Sequence, residues 1–126
     1  MELKKRTTGK VIILDISGTI VLGESSQQLA KTLADTLGEE LKGVVLNLEK
    51  IDYMDSTGLG ELVGYLTKFE EAKKRIAILK PQPRIVKLLT ITKLDKVFKL
   101  FEEESAAVNW CERGELNPHG PQATRP

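Results

Sequence analysis

Three short runs in the sequence are aliphatic almost throughout: Val11-Ile12-Ile13-Leu14-Asp15-Ile16, Gly43-Val44-Val45-Leu46-Asn47-Leu48 and Arg75-Ile76-Ala77-Ile78-Leu79. A strand with one wet face alternates apolar and polar residues, so runs without that alternation belong to strands covered on both faces. Between the runs the period changes. Leu29, Ala30, Leu33, Ala34 and Leu37 fall on one helical face, with Ser25 or Ser26 as N-cap and Gly38 just past the end. Leu59, Leu62, Val63, Leu66 and Phe69 make a second stripe of the same kind. Buried strands alternating with amphipathic helices predict an open α/β fold, a sheet of mostly parallel or mixed character with helices packed on it.

The flanking segments extend this pattern. Leu3 to Thr8 is expected to pair with the first run across a Gly9-Lys10 turn, and Pro81 closes the third run. Ile85, Val86, Leu88 and Leu89 suggest a short helix, with Pro83 where a helix start tolerates it. A brief strand from Val97-Phe98 onward and a helix from Glu102 to Val108 complete the order β-β-α-β-α-β-α-β-α, a sheet of about four to five strands. The chain has 126 residues, the size of one domain, which the pattern places at 1–109. Gly114, Asn117, Pro118, Gly120, Pro121 and Pro126 leave 110–126 without an apolar period, and this stretch reads as an unstructured tail.

Several classes of function are poorly served by these residues. Nineteen Lys and Arg against eighteen Asp and Glu give a net charge of +1, so no bulk attraction to nucleic acid or anionic membrane is implied. The lysines at 73, 74, 80, 87, 93, 96 and 99 are interspersed with acids and read as a solvated face. A single cysteine, Cys111, forms no internal disulfide and suits a reducing compartment. Val11 to Leu14 is too short for a signal-peptide core or a membrane span, so a cytoplasmic protein without membrane insertion is expected. The one histidine, His119, lies in the tail and gives a Ser or Cys nucleophile no base. Gly58-Leu59-Gly60 opens a helix but lacks the lysine and the spacing of a phosphate-binding loop. Asp52 and Asp55 have no further ligand residues nearby, and solvation and helix capping account for them better than a metal does. The expectation is a protein without enzymatic activity, metal or cofactor, and a monomer.

The segment Ile51-Asp52-Tyr53-Met54-Asp55-Ser56-Thr57-Gly58-Leu59-Gly60 lies between a strand and a helix, where open α/β sheets place ligands or partner contacts. Ser56 falls at the helix start. As an N-cap its oxygen would accept an orphan backbone N–H, worth about 1 kcal/mol, with Gly58 and Gly60 letting the turn pack closely. An exposed hydroxyl at a positive helix end is equally a good place to carry a phosphoryl group. Taken alone, capping is the plainer account of Ser56.

In this setting Asp55-Ser56-Thr57-Gly58-Leu59-Gly60 resembles the signature of STAS domains, in particular bacterial anti-sigma factor antagonists. Ile16-Ser17-Gly18 is similar to the family's early strand-glycine element, and Leu88 to Phe98 to its late helix-to-strand turn. The likeness runs over about residues 3–108. It implies a STAS-type sheet and a phosphorylation switch. The unphosphorylated protein would bind an anti-sigma factor with a GHKL serine-kinase domain, phosphorylation of Ser56 would break the complex, and a PP2C-type phosphatase would restore it. Thr57 is the alternative acceptor. The contact surface implied consists of Asp52, Met54, Asp55, Ser56, Thr57, Gly58, Leu59 and Gly60, joined by Thr19 and Val21 from the early glycine loop. Many antagonists have an acidic residue shortly after that glycine, where this chain has Val21, and this implies an altered contact or a different partner. The alternative within the same resemblance is a docking subunit of a lipid ABC transporter or a stressosome-like complex, without regulated phosphorylation.

Overall fold

The computed structural model describes residues 1–114. Five strands, β1 (Glu2–Thr8), β2 (Val11–Ile20), β3 (Gly43–Met54), β4 (Arg75–Leu79) and β5 (Lys99–Phe101), lie in the order β1-β2-β3-β4-β5. β1 runs antiparallel to β2 and every later pair is parallel. The helices are α1 (Glu24–Leu37), α2 (Ser56–Glu71), α3 (Pro83–Ile91) and α4 (Glu104–Arg113). The expected order of elements, with its mixed sheet and packed helices, is the one observed.

The strand side chains sort by parity, as a pleat requires. Ile12, Leu14, Val44, Leu46, Ile76 and Ile78 face α1, α2 and α3, and form the main core with Leu29, Leu33, Leu62, Phe69 and Leu89. Val11, Ile13, Val45, Ala77 and Leu79 face the opposite way and are covered by Ala107 and Cys111 of α4. Both faces are therefore dry over the first part of each strand, which is why the sequence runs do not alternate. Beyond the apolar side chains of α4 that second face turns polar. There Asp15 accepts a hydrogen bond from Asn47 at 2.8 Å and is paired with Arg6 on β1, which also reaches Glu104 of α4. The Arg6 guanidinium, with help from Asn47, holds the Asp15 carboxyl below its ordinary range.

Two expectations change. The last helix does not end at Val108: α4 runs through Arg113 and is closed by Gly114 in the left-handed conformation, φ 75°. Gly114 is thus a helix stop rather than the start of a loop. Cys111, assigned to the tail, is fully buried, and burial pushes its thiol up to about 12. Gly43 makes this packing possible, since a Cβ there would sit 2.7 Å from the Arg75 carbonyl oxygen and 3.0 Å from Cys111 Cβ. The remainder of the expected tail, including His119, lies outside the described residues. The second change concerns α1, where Gly23 is the N-cap residue and Ser25 and Ser26 lie inside the first turn. Ser26 bonds back to the Gly23 carbonyl, and Ser25 accepts from the Val21 N–H at 2.8 Å and donates to the Val21 carbonyl. The buried stripe is rotated accordingly, to Ser26, Leu29, Leu33 and Thr36, leaving Ala34 exposed.

Candidate functional site

Strand order without a reversal, with α1 to α3 on one face, leaves this sheet no switch-point crevice of the kind that holds nucleotides in doubly wound folds. The candidate surface stands at the carboxyl ends of β2 and β3. The register between these strands slips twice, from Asp15↔Asn47 to Ser17↔Lys50 and from Gly18↔Ile51 to Thr19↔Tyr53. Each slip puts one extra residue into β3, a bulge that bends and twists the strand. Gly18, at φ 102° between them, adopts backbone geometry that other residues avoid.

The strand consequently carries on further than the sequence reading allowed. Ile51 to Met54, expected in a connecting segment, are the last residues of β3, with Ile51 and Met54 buried and Asp52 and Tyr53 facing solvent. Tyr53 pairs with Thr19 across the strands, and only Asp55 separates β3 from α2.

Asp55, for which helix capping was expected alongside solvation, takes the cap also offered to Ser56. Its Oδ1 accepts the N–H of Gly58 at 2.9 Å, which makes it the N-cap of α2, and its Oδ2 accepts the N–H of Leu22 at 2.9 Å. Its own N–H donates to the Ile20 carbonyl at 3.1 Å. One residue thus ties the helix start to the β2–α1 loop. The Gly58 and Leu22 N–H groups lower the Asp55 carboxyl from its usual range, the Gly58 bond contributing most. Both Asp55 oxygens are thus engaged by backbone donors, and among the described residues no group of three or more His, Cys, Asp or Glu side chains is placed to hold a metal ion.

Ser56 therefore stands at the first helical position, exposed, with no hydrogen-bond partner for its hydroxyl among the described residues. Thr57 follows, half-buried. The two glycines part company. A Cβ at Gly58 would lie 2.7 Å from both Cγ2 and the carbonyl oxygen of Ile20, whereas Gly60 has nothing within 4 Å and does not serve close packing. Met54, Gly58 and Leu59, expected among the contact residues, are buried and support the surface from beneath. Asp52, Ser56, Gly60 and Thr19 are exposed, and Val21 is half-buried.

Three apolar side chains not singled out in the sequence border this surface. Leu22 at the tip of the β2–α1 loop is 75% exposed, Tyr53 48% and Ile91 of α3 68%. Tyr53 and Ile91, with Met54, Ile85 and Leu88, line a groove of about 200 Å³ flanked by Arg84 and Lys87. Tyr53 was legible in principle, because Ile51, Tyr53 and Met54 continue a strand once its bulge is known. Leu22 and Ile91 had no signal that separates them from core leucines and isoleucines.

No helix among the described residues is long and apolar enough to cross a membrane. A model of the STAS domain family matches residues 2–107. An anti-sigma-B factor antagonist of Staphylococcus aureus is 35% identical over 75 residues, which span 60% of this chain and 69% of that protein. Among solved structures, the anti-sigma factor antagonist SpoIIAA in its unphosphorylated form superposes with a TM-score of 0.76 at 19% identity, covering 92% of this chain and 100% of that one. SpoIIAA of Bacillus in its phosphorylated form gives 0.69 at 18% identity, over 86% of this chain and 97% of that one.

Proposed function

The chain belongs to the STAS domain family, and we propose on that footing that it is an anti-sigma factor antagonist, a cytoplasmic, non-enzymatic monomer switched by phosphorylation of Ser56. The observation that carries this reading is the division of labour at the start of α2. Asp55 caps the helix, so the Ser56 hydroxyl has no structural duty and is open to a kinase.

The physics of the switch follows from the same geometry. A phosphoryl group on Ser56 adds about −1.5 to −2 charge at neutral pH. The Gly58 and Leu22 N–H groups are already held by Asp55, so that charge is added next to an existing carboxylate, with Asp52 exposed on the same edge. A partner docked on this surface meets concentrated negative charge, and like charges set against each other across an interface cost several kcal/mol. Each ~1.4 kcal/mol is tenfold in affinity, so loss of the complex needs no change of fold. Thr57, half-buried, is the poorer acceptor. The partner proposed is an anti-sigma factor with a GHKL serine-kinase domain, opposed by a PP2C-type phosphatase. Where many antagonists present an acidic residue, this chain presents Val21 and the exposed Leu22, so the partner's matching surface is apolar there.

The test is to incubate the protein with ATP, magnesium and the GHKL kinase encoded nearest to it, map the phosphorylated site by mass spectrometry, and measure binding of the kinase to Ser56→Ala and Ser56→Asp. One phosphoryl group on Ser56, with binding kept by the alanine variant and reduced by about 100-fold in the aspartate variant, is expected. Equal binding by wild type and both variants overturns the reading and favours a docking subunit without regulated phosphorylation.

A further inference from the structure

At the far end of α2 from Ser56 lies a cavity of about 420 Å³, within the ~300–1,000 Å³ range of small-molecule sites. Leu66 and Ile76, both buried, and the half-exposed Val97 supply its apolar lining. Trp110 of α4 forms an aromatic wall, with the Arg75 guanidinium 5.6 Å from the ring centroid. Lys73 and Lys99 complete the lining as further cations. Among the described residues none of these three cations has a carboxylate within salt-bridge distance. Lys74 is different, since its ammonium bonds the Leu37 and Glu39 carbonyls at 2.7 and 2.6 Å and so serves the end of α1.

We propose that this cavity binds a small amphipathic monoanion, an aromatic or medium-chain aliphatic carboxylate. The charge is set by a balance. Lys73, Arg75 and Lys99 favour an anion, while Glu70 on the rim and the C-terminal end of α2, about half a negative charge, oppose it. With Lys74 engaged by the carbonyls at the end of α1, what is left is between about one and two positive charges, which suits one negative charge better than the several of a nucleoside triphosphate. Arg75 gives that charge a geometry, because a guanidinium lying over an indole at cation–π distance keeps in-plane N–H donors that match a carboxylate bidentately. The ligand's flat or aliphatic body is fixed by Trp110, Leu66 and Ile76. Solvation of a lysine-rich face accounts for Lys73 and Lys99 singly, but not for their convergence with Arg75 on an indole and an apolar floor.

Trp110 is the only tryptophan in the chain, so its fluorescence reports on this cavity directly. The full-length protein is titrated with 8-anilinonaphthalene-1-sulfonate, and then with octanoate and benzoate as non-quenching competitors. Expected are saturable single-site quenching of Trp110, weakening with salt, and displacement by the carboxylates. Lys99→Glu, on an exposed edge-strand position, and Arg75→Gln should each weaken binding about tenfold, with Arg75→Lys intermediate. Circular dichroism checks that the variants are folded, and Ser56→Asp should bind the probe like wild type. Absence of saturable quenching up to about 1 mM, or unchanged affinity in folded Lys99→Glu and Arg75→Gln, overturns the proposal. Neither result bears on the Ser56 switch, which is read from kinase binding.

Discussion

On the inner face of α2, Gly58 lies where a methyl group would come within 2.7 Å of the Ile20 carbonyl oxygen, while two residues on, at the outer face, Gly60 has open space around it. Leu59, Leu62 and Leu66 continue the inner face into the core. Ser56, Gly60 and Gly64, spaced by four and all exposed, continue the outer one. Inside, packing against β2 and β3 dictates the residue. Outside, packing dictates nothing, and a glycine within a helix costs about 1 kcal/mol relative to alanine. A surface that carries that cost with no return within the folded chain fits one that a partner's backbone approaches closely.

The largest effect should come from closing the inner gap. Gly58→Ala pushes a Cβ into the backbone of β2, which cannot retreat without moving the strand, so a stability loss of about 2 kcal/mol is expected in urea unfolding after allowing for alanine's better helix propensity. A loss near zero would mean that β2 and α2 slide easily, and the contrast between the faces would fail. Next comes Asp55→Asn, which keeps the size of the cap but removes the charge held by Gly58 and Leu22. The folded-state pKa of Asp55 is depressed, so its contribution is fully present above the unfolded value, about 3.9, and is lost as pH falls through the lower folded value. Acid unfolding below roughly pH 4 should therefore be shallower in Asp55→Asn than in wild type. Asp15, depressed by Arg6, contributes to the same limb and remains as the internal reference.

The sheet and the main core were legible because unbroken aliphatic runs and helical period each act over many residues at once, and the aliphatic positions agree with one another. The site was legible only in outline. Ser56 was placed correctly at a helix start, yet the cap went to its neighbour, because aspartate and serine compete for the same N–H groups and only the β2–α1 loop, bringing Leu22 N–H to Asp55, settles the competition. The extension of β3 through Tyr53 depends on two register slips against β2, a property of paired strands that one strand's sequence does not carry. At the other end, Trp110-Cys111-Glu112-Arg113 has too few apolar residues to announce a helix, and Gly43, its partner in packing, is 68 residues away from Cys111 in the chain.

The smallest effects on the fold should carry the most information about the outer face. Ser56→Ala removes a hydroxyl without a partner among the described residues and should leave stability within about 0.5 kcal/mol of wild type. Gly60→Ala has room for its methyl group and should stabilise the protein, by up to about 1 kcal/mol, through helix propensity and reduced freedom of the unfolded chain. Binding of the kinase partner should move in the opposite direction in Gly60→Ala, because a methyl group on the outer face holds off a closely approaching backbone. Stability and affinity that change with opposite sign on one substitution separate a contact surface from a structural one. Should Gly60→Ala gain stability and bind the partner as well as wild type, the outer glycines are not the contact, and the interface shifts to the apolar border of Leu22, Tyr53 and Ile91.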